Sequence, residues 1–180
     1  EVSLAPQDEI TQLGQSLLEL GKAFELKTKE INTLARLTEQ ANAGLRLEDT
    51  LNLIYDSFKE IIPFDRLSLS ILENEGSLVK ARWVRSELAA HVIQSGYSAP
   101  LEGSSLKEIL SSGCPRIIND LEEYYQQNPQ SVSTCRIIQE GMKSNLTCPL
   151  FAMGKPIGFM FFSSIHKESY KDVHVELFQQ

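Results

Sequence analysis

From Asp8 to Leu45 the chain contains no proline and repeats its apolar residues every seven positions. Ile10, Leu17, Phe24, Ile31 and Leu45 share one heptad position, with Thr38 in the gap. Leu13, Leu20, Leu34 and Ala41 share the other, broken at Lys27. Such a stripe held over about five heptads is satisfied by one long helix, about 55 Å end to end if fully helical. Asp8 and Glu9 stand at its start, where carboxylates favour the helix dipole. Gly14 and Gly21 are each about 1 kcal/mol worse than Ala in a helix, so the helix alone is weak. A seam this narrow cannot be buried by one chain. It predicts a parallel two-stranded coiled coil, a homodimer with Ile10, Leu13, Leu17, Leu20, Phe24, Ile31 and Leu34 against the partner. The alternative is a helix folded back on its own domain.

Length and composition bound the remainder. The 180 residues suit one domain plus an appendage, and 42% apolar with 23% charged residues excludes collagen-like, low-complexity and wholly disordered chains. A net charge of −7 argues against nucleic acid as a partner. The longest strongly apolar run, Ile157 to Phe162, is far short of the roughly 20 residues of a membrane span. Cys114, Cys135 and Cys148 form no CxxC pair, so neither a disulfide framework nor a zinc site is expected, and a reducing compartment is the simplest setting. No metal or cofactor is expected. The absence of an initiator Met and an end at Gln180 inside a helical pattern suggest a piece of a longer protein.

Beyond Gly44 the periodicity changes. Leu51, Ile54, Tyr55, Phe58, Ile61 and Ile62 predict a helix stopped by Pro63. Arg66 to Leu72 alternates as a half-buried strand, Leu67, Leu69 and Ile71 on one face and Arg66, Ser68 and Ser70 on the other. Glu73 to Gly76 turns into a second strand from Leu78 to about Val84, and 86–103 carries no clear signal. Ser104 or Ser105 caps a short helix ended by Gly113; a short strand runs from Pro115 to Ile118. A Tyr- and Gln-rich segment precedes a short helix over about Cys135 to Glu140. A hairpin pairs Asn145–Phe151 with Pro156–Ser163, and a last helix holds Tyr170, Val173 and Leu177. Helices at both ends of an antiparallel sheet make the class α+β.

Two patterns carry a family resemblance. GMKSNLTCPLFAMGKPIGFMFF places Gly141, Ser144, Pro149, Leu150, Gly154, Ile157 and Gly158, and GSSLKEILSSGCPRIIND places Gly103, Ser104, Gly113, Pro115 and Asp120. On these, the stretch 46–180 resembles a GAF domain. The resemblance implies a five- or six-stranded antiparallel sheet with helices on both sides, a sensor or dimerisation role, and a small-molecule pocket opposite the terminal helices. Asp8, Glu9 and Ile10 resemble the end of a HAMP domain. That implies a bacterial signalling protein anchored in the inner membrane by upstream segments, with this part on the cytoplasmic side. The expected organisation is a signalling coiled-coil helix over 1–45, the GAF domain over 46–165 and an exit helix over 166–180 toward an output domain.

The segments that the resemblance assigns to the pocket offer Arg82, Arg85, Arg116, Arg136 and Lys143, with Trp83, Tyr124 and Tyr125 for stacking. We expect ligand contacts from Ser68, Ser70, Arg82, Trp83, Arg116, Asp120, Tyr124, Arg136, Ser144 and Thr147. Arginine presents paired donors to carboxylate or phosphate, so an anionic metabolite or nucleotide is the expected ligand. The alternative pairs these arginines with Asp120, Glu122, Glu123 and Glu140, or leaves them in solvent. No cysteine is followed by His, which argues against a covalent bilin, and His91, His166 and His174 read as surface residues. The expected role is non-catalytic. Its rivals are a ligand-free dimer scaffold, a thiol redox sensor, and an enzyme resembling free methionine sulfoxide reductases, with Cys135 beside Arg136 as a lowered-pKa thiol. The seam makes one direct prediction. By light scattering the chain should show twice its mass, and Leu17→Glu should return it to a monomer; a monomer at high micromolar concentration that ignores the substitution places the heptads inside one chain.

Overall fold

The computed structural model describes residues 47–88 and 92–179, together with Lys22 and Lys27, which are helical and exposed. The heptad seam and the HAMP-like start lie outside the described residues. The chain divides into two compact units, Glu1–Asp49 and Thr50–Gln180.

Helix α1 runs over 47–59, and the Ile61 and Ile62 amides close its last turn by donating to the Phe58 carbonyl. Pro63 then forces extended backbone, and β1 (Arg66–Glu73) follows. A tight turn at Asn74–Gly76 leads to β2 (Leu78–Ser86). The stretch with no clear sequence signal holds the short strand β3 (Ser98–Pro100). Helix α2 (Leu106–Ser112) ends at Gly113 with φ 68°, the left-handed position its sequence predicts. Strand β4 (Arg116–Ile118) is followed by α3 (Leu121–Gln127), which periodicity did not reveal, and by α4 (Val132–Gln139). Asp120 starts α3 by accepting from the Glu122 and Glu123 amides, a local signal for a helix too short to show a stripe. Strands β5 (Ser144–Ala152) and β6 (Lys155–Ser164) form the expected hairpin, and α5 (Asp172–Gln179) follows. Its two-residue turn, Met153 and Gly154, has positive φ at both positions, matching the twist of the strands.

The strands make one six-stranded antiparallel sheet in the order β3-β2-β1-β6-β5-β4. One face is apolar. Leu67, Leu69, Trp83, Leu146, Cys148, Met160 and Phe162 pack there with Leu51, Tyr55, Ile62, Phe64 and Tyr170. Phe58 and Phe178 stack at 6.0 Å and meet Phe162 edge-on, so residues of α1 and α5 share this face. Burying each large apolar side chain here contributes about 1.5–3 kcal/mol. The other face is divided. Val79, Leu101, Ile109 and Phe159 form a second apolar cluster under α2. Beside it the face is polar.

A bulge sets which β2 residues serve which face. Leu69 pairs with Trp83 and Ser70 with Ala81, leaving Arg82 as the extra residue between them. Where β1 meets β6, Ile71 lies opposite Gly158, and a Cβ at Gly158 would collide with the Ser70 carbonyl oxygen. Gly158→Ala therefore forces these two strands apart. We expect a loss of about 1–3 kcal/mol in urea unfolding; an unchanged midpoint would show that the strands can separate freely.

Candidate functional site

The polar part of the second face forms the floor of a cavity of about 660 Å³. Strand alternation and register build it. Ser68 lies opposite Phe161, Phe161 opposite Thr147, and Thr147 opposite Arg116, a single row across β1, β6, β5 and β4. One step along, Arg66 lies opposite Ser163 and Ser163 opposite Asn145. The walls come from the connection before β3 with Ile93 and Tyr97, from the turn Gly103–Leu106, and from α3, α4 and the loop between them. Leu121, Ile118, Ile137, Val79 and Ala81 add apolar surface to the lining.

Of the expected ligand residues, Ser68, Ser70, Arg116, Tyr124, Arg136 and Thr147 line the cavity together. The other four stand elsewhere, each for a physical reason. Arg82, expelled by the bulge, pairs with Glu73 at 2.8 Å on the surface. Trp83 is turned by the same bulge into the apolar core, 6.3 Å from the Tyr55 ring. Ser144 alternates with Leu146 and Cys148 onto the core side and donates to the His166 carbonyl at 2.7 Å. Asp120 caps α3 and binds Lys167 at 2.8 Å; the Lys167 ammonium holds its carboxyl below the ordinary range. Arg85 belongs to the core side as well, 4.0 Å above the Tyr55 ring and paired with Asp56.

Arg116 and Arg136, which line the cavity, are unlike these surface pairs. The Arg116 guanidinium lies 5.5 Å from the Tyr124 ring centroid and that of Arg136 lies 4.7 Å from the Tyr97 ring centroid. Tyr124 in turn donates to Ser105 Oγ at 2.8 Å, and Tyr97 bonds Ser133 at 3.2 Å. Among the described residues no carboxylate pairs with either guanidinium, and Arg116 Nε is buried without a hydrogen-bond partner. Glu102, at the cavity edge, is held by Lys107 at 3.0 Å. Thr147 donates to Asn145 Oδ1 at 2.7 Å, while Asn145 Nδ2 donates to Ser163 and to the Phe162 carbonyl, fixing the floor.

Two lining features went unread in the sequence. Arg66, only 1% exposed, meets Glu140 across 2.9 Å inside the protein. Glu140, considered as a partner for the other arginines, is thus taken by this one. The signal was present: Arg66 alternates with Leu67 onto the face of Ser68 and Ser70. Tyr97 belongs to the stretch without periodicity, and only the fold brings it against Arg136.

No cysteine lines the cavity. Cys114 is exposed, Cys135 half-buried on α4, and Cys148 buried in the apolar core. Among the described residues no cluster of His, Cys, Asp and Glu could hold a metal ion, and no helix is long and apolar enough to cross a membrane.

A family model described as GAF domain matches residues 44–180. The chain is similar to the GAF domain of a two-component sensor histidine kinase from Bacillus halodurans, at 21% identity and TM-score 0.61 over 74% of this chain and 86% of that one. It is also similar to a far-red cyanobacteriochrome photoreceptor, at 15% identity and TM-score 0.57 over 86% and 92%. A third likeness is to a type II free methionine-R-sulfoxide reductase from Thermoplasma acidophilum, at 18% identity and TM-score 0.50 over 68% and 77%. At these identities the likeness is one of fold. No match is found among curated proteins.

The thiols allow a direct check of the burial pattern. Burial pushes the Cys148 thiol from 9.0 up to about 12. A group with a raised folded pKa stabilises the fold fully below its unfolded value, so this contribution is present below pH 9 and fades as the pH climbs toward 12. At pH 8 a thiol reagent should label Cys114 at once and leave Cys148 untouched until denaturant is added; native labelling of Cys148 by mass spectrometry would contradict the packing.

Proposed function

We propose, on the premise that this chain belongs to the GAF domain family, that it is a non-catalytic sensory module that binds a small anionic ligand. The family is typical of sensory modules in signal-transduction proteins, the setting of the Bacillus halodurans kinase domain. The observation that carries the ligand is the pair of carboxylate-free guanidinium groups, Arg116 and Arg136, turned into a cavity of about 660 Å³ in a chain of net charge −7. That volume suits a small metabolite or a nucleotide. Both guanidinium groups lie near tyrosine rings, 5.5 and 4.7 Å from the centroids, and their forked donors match carboxylate or phosphate oxygens. Hydroxyls of Ser68 and Ser70 supply the directed contacts, while the Thr147 proton is committed to Asn145 Oδ1.

The proposed mechanism is a population shift. Ligand, or motion arriving through residues 1–45, favours one packing of the terminal helices in a homodimer, and the exit helix hands that state to an output domain. In this reading the parent is a membrane-anchored bacterial protein and the module sits on its cytoplasmic side. Reductase chemistry is disfavoured because thiols stand away from the cavity. The ligand-free scaffold is disfavoured because a cavity of about 660 Å³ remains, with Tyr124 in its lining rather than filling it.

Calorimetry with cyclic nucleotides, dicarboxylates and amino acids tests the reading. Saturable binding of at least one anion is expected. Hydrogen bonds to charged groups contribute about 1.5–3 kcal/mol, so Arg116→Ala and Arg136→Ala should each weaken it about tenfold or more. If no anion in the series binds, and Arg116→Ala changes nothing, the scaffold reading replaces this one.

A further inference from the structure

Arg66 lines the cavity and Glu140 is paired with it from outside the lining, each side chain 1% exposed. Their Nε and Oε2 atoms approach to 2.9 Å without hydrogen-bond alignment, and neither atom has another partner. A buried ion pair is a poor source of stability, since apolar side chains of similar volume commonly serve as well. What this pair does is geometric. The Ile93 amide donates to Glu140 Oε1 at 2.5 Å, and the Ile93 carbonyl accepts from Arg66 Nη2 at 3.3 Å. One residue is thus held by both of its backbone polar groups, one on each member of the pair. The Val92 amide donates to the same Glu140 oxygen at 2.8 Å.

Three cavity-lining elements meet at this point. Strand β1 contributes Ser68, whose Oγ accepts from Arg66 Nη1 at 3.0 Å. A serine hydroxyl that accepts from a guanidinium keeps its own proton free to donate. Glu140 is the residue that caps helix α4 at its C-terminal end, and Arg136 stands one turn earlier. The Ile93 segment leads to Tyr97, over whose ring Arg136 lies.

We infer that Arg66 and Glu140 are a positioning pair for the cavity: they clamp the Ile93 wall beside Tyr97 and Arg136 and present the Ser68 hydroxyl as a donor to an anionic ligand. The clamp stands on the geometry alone; the ligand half rests on the sensory reading above.

The test uses the full chain with Arg66→Met and Glu140→Leu combined, which removes both charges and leaves neither unpaired. Hydrogen exchange at the Val92 and Ile93 amides should accelerate at least tenfold, while the strand amides of β1, β5 and β6 stay protected. Succinate, inorganic phosphate and a cyclic nucleotide serve as probes. For a probe that binds, Ser68→Ala should weaken affinity at least fivefold in the native background and not at all in the double variant, a coupling that general loosening does not produce. Unchanged exchange at Val92 and Ile93, or an equal Ser68→Ala effect in both backgrounds, overturns the inference. Should the double variant fail to fold, Glu140→Gln carries the same exchange measurement. If no probe binds the native chain, the sensory reading fails, and the exchange result still decides the clamp.

Discussion

Strand β1 must satisfy opposite chemistry on its two faces, and the arrangement around it follows from that demand. Leu67 and Leu69 need apolar neighbours, which Phe162, Met160 and residues of the first helix supply. Arg66, Ser68 and Ser70 point the other way and cannot be covered by apolar side chains without large desolvation losses. A sheet edge would leave them to water. In the centre, between β2 and β6, they need partners from the protein or a solvated space. The structure provides both: an internal carboxylate for Arg66 and a cavity over the two serines.

The cavity's charge follows from how carboxylates are distributed. Glu140 is spent on Arg66, Asp120 and Glu122 on Lys167, Glu73 on Arg82 and Lys80, and Asp56 on Arg85. An acidic chain thereby keeps two half-buried guanidinium groups at the cavity without a carboxylate partner among the described residues. Aromatic rings replace carboxylates beneath them, a weaker attraction that leaves the donor edges available. Partly screened from water by the cavity walls, such groups attract an incoming anion more than fully exposed ones do.

Legibility varied with the length scale of the signal. Alternation in Leu67 to Ile71 and the Met153-Gly154 turn are interactions between close neighbours, so β1 and the β5–β6 hairpin were readable. Helix α3 has seven residues, too few for a stripe, and was announced only by its Asp120 cap. The 86–103 stretch has no period because its contacts are individual: Tyr97 with Arg136, Ile93 with Arg66 and Glu140. Six of the ten ligand residues expected from sequence share the cavity. Arg82 and Trp83 do not, because a single bulge shifted their alternation, and bulges leave no mark in composition.

By itself the sequence determined the α+β class, the two-faced alternation of β1, the glycine turns and the family to which residues 44–180 belong. These rest on periodicity and local backbone preference, which act over a few residues. Only the tertiary structure decided which charges are neutralised and which remain for a ligand. Arg66 and Arg116 are alike as letters, yet one meets Glu140, seventy-four positions away by numbering, and the other meets a tyrosine ring. Pairing across the sheet sets those distances, and electrostatic energy depends on distance and burial rather than on order along the chain.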